Sequence, residues 1–205
     1  MLRHVKPVAF LACLAPVFVL SWQGFHAGLG ANPIEKITHA TGDWTLRFLL
    51  ITLSIAPLRV LTRQYWLIDF RRMLGLFAFF YGFLHLMTYV WLDKFFDVHE
   101  MLHDIAKRRF IAAGMTAFTL MIPLALTSTK WSIRKLGKRW QMLHRLIYFS
   151  AAAGVIHYIW LVKADLKKPL EYAAVLGALL IYRIIAWLKN NVSVESKFRE
   201  PEVNS

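Results

Sequence analysis

The sequence predicts an all-α, polytopic integral membrane protein: a bundle of six transmembrane helices with both termini in the cytoplasm. Three observations carry that prediction. Hydrophobic residues make up 58% of the 205-residue chain and charged residues only 18%, with a mean hydropathy of +0.45, a balance more apolar than that of a soluble domain. The apolar residues are gathered into six stretches, each near the ~20 residues that a helix needs to cross the hydrocarbon core. The basic residues are strongly biased to one side of those stretches, as the positive-inside rule requires of cytoplasmic loops.

The first stretch, about 8–25, follows the basic start Met1 to Lys6 and contains Pro16. A positive start, an apolar run and the small residues Ala27 and Gly28 also fit a secretory signal peptide. A retained first helix is expected, and cleavage would leave the orientation of the others unchanged. The second stretch, 44–61, carries Pro57. The third, 73–92, opens behind Arg71 and Arg72 and is rich in aromatics: Phe77, Phe79, Phe80, Tyr81, Phe83, Tyr89 and Trp91, read as lipid-facing or packing surface. The fourth, 110–127, has Pro123 near its end. The three prolines read as kinks, because neighbouring helices can satisfy the carbonyls they free. The fifth, 142–162, and the sixth, 170–188, complete a transmembrane domain over residues 1–189. The polar remainder, 190–205, reads as a disordered cytoplasmic tail, and there is no tandem repeat.

With the N-terminus inside, sixteen of the 25 basic residues and four of the 12 acidic ones fall on the cytoplasmic side, +12 inside against +1 outside. The net charge of +13 is therefore a topology signal. Basic residues spread over loops beside lipid headgroups are not the basic face of a soluble fold, which excludes nucleic acid as a partner and leaves membrane lipid. The basic stretch Lys130 to Arg139 reads first as an ordinary positive-inside loop and second as a landing place for a cytosolic donor or anionic lipid.

Three histidines lie inside apolar stretches: His85 midway along the third, His144 and His157 in the fifth. Histidine is costly in a bilayer and marks function there, and its imidazole is the usual axial ligand of haem iron. Thirteen residues at 1.5 Å rise put His144 and His157 roughly 20 Å apart, so they cannot share one iron. His85 is thirteen residues beyond Arg72, and His157 twelve beyond Arg145. At matched depth they can clamp one haem b in the outer half of the membrane.

His144, beside Arg145 and close behind Lys138 and Arg139, belongs to a second, inner site. The position facing it on the third helix is Arg71, with Arg72 adjacent. Arginine stays protonated and is a poor iron ligand, but its fork grips a haem propionate or a flavin phosphate. The inner site reads as a second haem with an unusual or missing ligand, a flavin, or a quinone pocket. At about 100° per residue the two histidines of the fifth helix are roughly 140° apart around an ideal helix, which requires a distortion near Gly154 or two sites on different faces. The plain alternative for each of the three is an interfacial hydrogen-bonding histidine. His4, His26 and His39 are read as interfacial or loop residues, and Trp131, Trp140 and Trp160 as an interfacial belt.

Two further motifs bear on chemistry. Cys13 is the one cysteine, so there is no intrachain disulfide, no thiolate cluster and no CxxCH, and a haem would be held non-covalently. His99-Glu100-Met101-Leu102-His103 spells the zinc-protease signature HExxH. It lies in the outer connection between the third and fourth helices without a third histidine at metzincin spacing, so a third ligand would come from elsewhere, such as Glu171. It is expected to be a solvated amphipathic turn. His99 is fourteen residues after His85, but Asp93, Lys94 and Asp97 intervene and put it outside the membrane. From a different class, a haem-free transporter could use the intramembrane histidines as proton relays.

Arg71-Arg72-Met73-Leu74-Gly75 leading to Leu84-His85-Leu86, the block Leu126-Thr127-Ser128-Thr129, the run Leu136-Gly137-Lys138-Arg139-Trp140-Gln141-Met142-Leu143-His144-Arg145-Leu146-Ile147-Tyr148, and His157-Tyr158-Ile159-Trp160 together resemble the MsrQ family, within the ferric-reductase-like transmembrane proteins. The resemblance covers nearly the whole chain, including the segment around His39, Thr41 and Gly42. It implies an inner-membrane b-type cytochrome with one or two haems, also using FMN. It further implies electrons taken from the quinone pool or a cytosolic flavin reductase and passed to the periplasmic molybdopterin subunit MsrP, which reduces methionine sulfoxide in oxidised proteins. The family's haem histidines carry onto His85, His144 and His157, and the departure from four-histidine relatives falls at Arg71. Larger relatives append flavin and nicotinamide domains. Here about seventeen residues follow the last helix and no GxGxxG appears, so an electron-transfer subunit with a separate donor and acceptor is expected, not the catalytic subunit.

Overall fold

The computed structural model describes residues 2–26, 28–162 and 164–199, with side chains described from Val5 to Lys189 within that range. The described residues are helical and contain no strand. In chain order the helices are α1 (Leu2–Phe25), α2 (Pro33–Thr62), α3 (Ile68–Met87), α4 (Val98–Lys107), α5 (Arg109–Leu126), α6 (Lys130–Leu136), α7 (Lys138–Leu143), α8 (Leu146–Leu161) and α9 (Lys167–Arg199). The bundle end carrying α4, which the charge bias assigns to the outside, is termed the outer end.

Helix α2 begins well before the expected position 44. Pro33 occupies its first turn, and the Asn32 side chain accepts the Glu35 N–H at 3.2 Å while donating to the Glu35 carboxylate at 2.9 Å, a reciprocal cap that starts a helix regardless of hydropathy. The polar first turns escape an apolar window, so His39, Thr41 and Gly42 stand on a helix and not in a loop. His39 is half exposed and faces Glu35 at 3.7 Å. His26 follows α1 in a turn and stacks on Trp22 at 3.9 Å, and His4 lies outside the described side chains.

Among the described residues, five helical segments are long and apolar enough to cross a membrane: Val5–Phe25, Pro33–Thr62, Tyr65–Asp93, Arg109–Leu126 and Lys167–Lys189. The expected span 142–162 is interrupted. Helix α7 ends at Leu143, His144 and Arg145 form a turn, and α8 has 16 residues, about 24 Å of helix. This short helix is held in the bundle by packing. Ala151 and Ser150 are fully buried, Ser150 Oγ donates to the Ala117 carbonyl of α5 at 2.8 Å, and Gly154 lets Leu46 of α2 approach. The break is therefore at His144–Arg145, and Gly154 is a packing glycine inside a continuous helix.

Helices α2 with α3, and α5 with α8, form the two most extensive pairs. Their core contains Leu49, Leu53 and Tyr81 together with the fully buried Ala78 and Ala151, small residues that allow close helix approach without a hydrophobic drive. The aromatics of α3 and of the turn that follows it divide accordingly: Phe77 and Tyr81 are buried, while Phe83 and, beyond the end of α3, Trp91 are exposed. Helix α1 docks through Tyr81. Its hydroxyl donates to the Cys13 carbonyl at 2.9 Å and accepts the Val17 N–H at 3.2 Å. These two groups would bond to each other in an ideal helix, so the tyrosine is inserted into the ladder beside Pro16, a recognised cause of helix kinking. Pro57 and Pro123 also lie inside helices.

The stretch Lys130 to Arg139 is not a loop. It forms α6 and the start of α7, hinged at Gly137 with φ +50°, and α6 is capped by Thr129 Oγ1 accepting the Ser132 N–H. At the C-terminus the backbone of α9 continues through the polar segment to Arg199.

Candidate cofactor site

The two tight helix pairs enclose a cavity of about 330 Å3 toward the outer end, and His85 from α3 and His157 from α8 enter it from opposite sides. Their ring centroids are 6.0 Å apart, with planes at 78°. His85 Nδ1 donates to the Thr38 carbonyl at 2.9 Å and His157 Nδ1 to the Phe110 carbonyl at 2.6 Å. A carbonyl can only accept, so each ring carries its proton on Nδ1 and leaves the Nε2 lone pair for a metal, the orientation that outer-shell bonds impose on ligating histidines. An iron between two such nitrogens, at about 2 Å from each, places ring centroids roughly 6 Å apart. The observed separation fits a bis-imidazole haem.

Both rings are seated on glycines. A Cβ at Gly42 would lie 3.1 Å from His85 Cε1, and a Cβ at Gly114 would lie 2.8 Å from His157 Nδ1. Beyond His85, α3 widens into a π-helical turn, Thr88–Asp93. There Thr88 Oγ1 donates to the His85 carbonyl at 2.7 Å and accepts the Thr38 hydroxyl at 3.0 Å. Sequence reasoning missed Thr38, Thr88, Phe110 and Gly114. An isolated glycine inside an apolar helix, costly relative to alanine unless something packs on it, was the available signal for Gly114.

A second cavity of about 290 Å3 lies toward the inner end and gathers His144, Arg71 and Arg72, with Gly75 and Trp140 among its walls. His144 Nδ1 donates to the Trp140 carbonyl at 3.1 Å, and its Nε2 is buried without a partner. A buried orphan acceptor of this kind is a position for a ligand. Trp140 stacks on His144 at 3.8 Å and donates from Nε1 to the Thr127 carbonyl at 3.0 Å. It orders this site, whereas Trp131 and Trp160 are exposed. With His144 in the turn before α8, the two histidines line two separate cavities, and the interruption between them is that turn and not a bend at Gly154.

The HExxH segment forms the amphipathic helix α4, with His99 and His103 exposed. Glu100 is ion-paired to Lys94, which also bonds Asp104 at 2.9 Å, and Arg108 Nε reaches Asp104 at 3.2 Å. Lys94 and Asp104 are buried at 7% and 4% exposure. Hydrogen bonds from Asp104 and then Glu100 push the Lys94 ammonium above its usual range, and the Lys94 hydrogen bond holds the Asp104 carboxyl below its own. Among the described residues, no group of three His, Cys, Asp or Glu side chains is placed to hold a metal, so Glu171 does not complete a zinc site with this motif.

An all-helical, multi-pass membrane protein with two opposed imidazoles between helix pairs is the class that fold and site define. Residues 41–155 match the family of ferric reductase like transmembrane components. Over 194 residues, 93% of this chain and 89% of the relative, the sequence is 51% identical to the protein-methionine-sulfoxide reductase heme-binding subunit MsrQ of Herminiimonas arsenicoxydans. It is 49% identical to the MsrQ of Azospira oryzae, covering 98% of this chain and 88% of that one, and 48% identical to the MsrQ of Caulobacter vibrioides, covering 88% and 86%. The chain belongs to the MsrQ family of ferric-reductase-like transmembrane proteins and is a multi-pass inner-membrane protein. No solved structure matches it.

Proposed function

We propose that this chain is a b-type haem electron-transfer subunit that carries electrons across the inner membrane to a periplasmic molybdopterin methionine-sulfoxide reductase, MsrP, and so supports repair of oxidised periplasmic proteins. The observation that carries the reading is the 6.0 Å opposition of His85 and His157, each with its Nδ1 proton tied to a backbone carbonyl. The names of the relatives, heme-binding subunits of a protein-methionine-sulfoxide reductase, support it. In this reading both termini are cytoplasmic, α8 is the sixth crossing, and residues 1–189 form the transmembrane domain with a cytoplasmic tail beyond.

Bound haem supplies a one-electron iron couple inside a medium that otherwise carries no electrons. The chain's own residues do the rest. His85 and His157 both line the outer cavity and keep Nε2 unprotonated, Thr38 and Phe110 fix the ring tautomers, and Gly42 and Gly114 set the ring positions. Leu46, Leu49, Phe118 and Met121 give the outer cavity an apolar wall beside the two rings. At the inner cavity, His144 offers its unpartnered Nε2, while Arg71 and Arg72 are suited to the anionic groups of a second haem or of FMN. A donor from the cytoplasmic side, a flavin reductase, or from the membrane, a quinol, would deliver electrons toward this end.

The test is the reduced-minus-oxidised optical spectrum with pyridine-haemochrome quantitation on purified wild type and on His85→Ala, His157→Ala and His144→Ala. A b-type spectrum lost in either of the first two variants is expected, with the third reading out a second haem. Well-folded, haem-supplied wild type without haem would overturn the proposal and favour a proton-relay transporter.

A further inference from the structure

Three arginines from three helices converge at the inner end of the bundle. Arg59 is in the last turn of α2, Arg71 in the first turn of α3, and Arg183 on α9. Arg71 lies within electrostatic reach of both others and of Tyr148 on α8. The Arg183 guanidinium sits over the Tyr148 ring, its Cζ 5.1 Å from the centroid. Like charges at such range repel, yet among the described residues no carboxylate pairs with any of the three. Among the described residues, Asp69 in the first turn of α3 is engaged by Lys6 at 3.3 Å. In addition, Arg59 Nε and Arg183 Nη2 are buried and bonded to nothing. Unpaired buried donors on charged groups are among the more expensive defects a fold can carry.

Among the described residues nothing supplies this cluster with an anion. Guanidinium forks from several directions match the oxygens of a phosphate group, each taking two parallel hydrogen bonds. The neighbouring surface of α9, Ile184, Ile185 and Trp187, is exposed and apolar, which suits acyl chains. A basic pocket between helices at the cytoplasmic headgroup level is where anionic phospholipid is bound. We propose that Arg59, Arg71 and Arg183 form a phosphate-binding site, whose occupant is the phosphodiester of an anionic phospholipid or the phosphate of a soluble ester. Arg59 and Arg183 are not part of the inner cavity wall, whereas Arg71 is. Arg71 also lies within electrostatic reach of His144. Occupancy of the new site thus sets the charge felt at the inner cavity through one shared residue.

The test uses the purified full-length chain, delipidated in detergent, with Arg59→Gln and Arg183→Gln. In one arm, native mass spectrometry compares retention of added phosphatidylglycerol with that of phosphatidylcholine. In the other, thermal unfolding is followed with inorganic phosphate against chloride at equal ionic strength. Selective phosphatidylglycerol retention, weakened about tenfold in either variant, supports the site and identifies lipid as the source. Phosphate-specific stabilisation that disappears in the variants, without lipid selectivity, supports it with a soluble source. Wild type selective in neither arm, or folded variants equal to wild type, overturns the proposal. Should a variant fail to fold, the comparisons on wild type and on Arg59→Lys and Arg183→Lys, which keep charge but lose the fork, still decide.

Discussion

The imidazole of His157 rests directly on Gly114: a Cβ there would meet ring Nδ1 at 2.8 Å and Cε1 at 3.0 Å. The ring cannot swing aside freely, because the same Nδ1 is bonded to the Phe110 carbonyl one turn earlier on α5. Gly114→Ala therefore forces either the ring or the α5–α8 pair to move, and haem content per purified protein is expected to fall several-fold. Gly42→Ala is milder, since the closest approach to His85 is 3.1 Å and the neighbour need give only slightly. Pyridine-haemochrome quantitation on both variants checks the order. Wild-type haem in Gly114→Ala would show that the glycine does not seat the ligand.

Tyr81 is a structural hydrogen-bonding device. Removing its hydroxyl leaves the Cys13 carbonyl and the Val17 N–H apart and unsatisfied in an apolar setting. Tyr81→Phe is expected to destabilise the fold by about 1–3 kcal/mol, read as a lowered unfolding temperature in detergent. An unchanged temperature would mean that α1 re-forms its own bond once the tyrosine oxygen is gone.

The outer network has a defined pH signature. Asp104 is held below its ordinary 3.8 by Lys94, so its stabilising contribution is present above that value and is lost as pH falls through the depressed one. Lys94 is raised above its ordinary 10.5. Its contribution is complete below that value and fades only at strongly alkaline pH. Unfolding temperature should therefore be insensitive to this network from about pH 5 to about pH 9 and drop in acid. Asp104→Asn should lower the plateau and remove its share of the acid slope.

The HExxH letters spell a zinc motif, but the segment was expected to be an amphipathic turn, and among the described residues no three-ligand metal group is assembled. Glu100 is committed to Lys94, and the two histidines face solvent. Glu100→Gln is expected to leave haem content unchanged, and metal analysis of wild type should find zinc well below one per chain. Stoichiometric zinc at α4 would reverse that reading.

Much of the architecture was legible before any coordinates. Hydropathy and charge bias act over windows of about 20 residues and need no neighbour, so the boundaries of α5 and the matched depth of His85 and His157 could be read directly. Windows failed where polar chemistry governs a helix, as in the capped, polar start of α2 at Asn32 and Pro33. They failed again at His144–Arg145, where an apolar run conceals a turn. The contact of Trp140 with the inner cavity was missed, because an indole at the end of a span reads only as interfacial until its ring is seen stacked on His144.

By itself, then, the sequence determined a membrane bundle, its histidines at two depths, and the basic end with its arginines. Only the tertiary structure decided that the Thr38 and Phe110 carbonyls hold the rings of His85 and His157, that Gly42 and Gly114 lie beneath them, and that Arg59, Arg71 and Arg183 share one place. The reason is physical. Partition into a bilayer is a sum over local residues, whereas ring orientation and charge clustering arise between helices far apart in the chain and depend on how closely those helices pack.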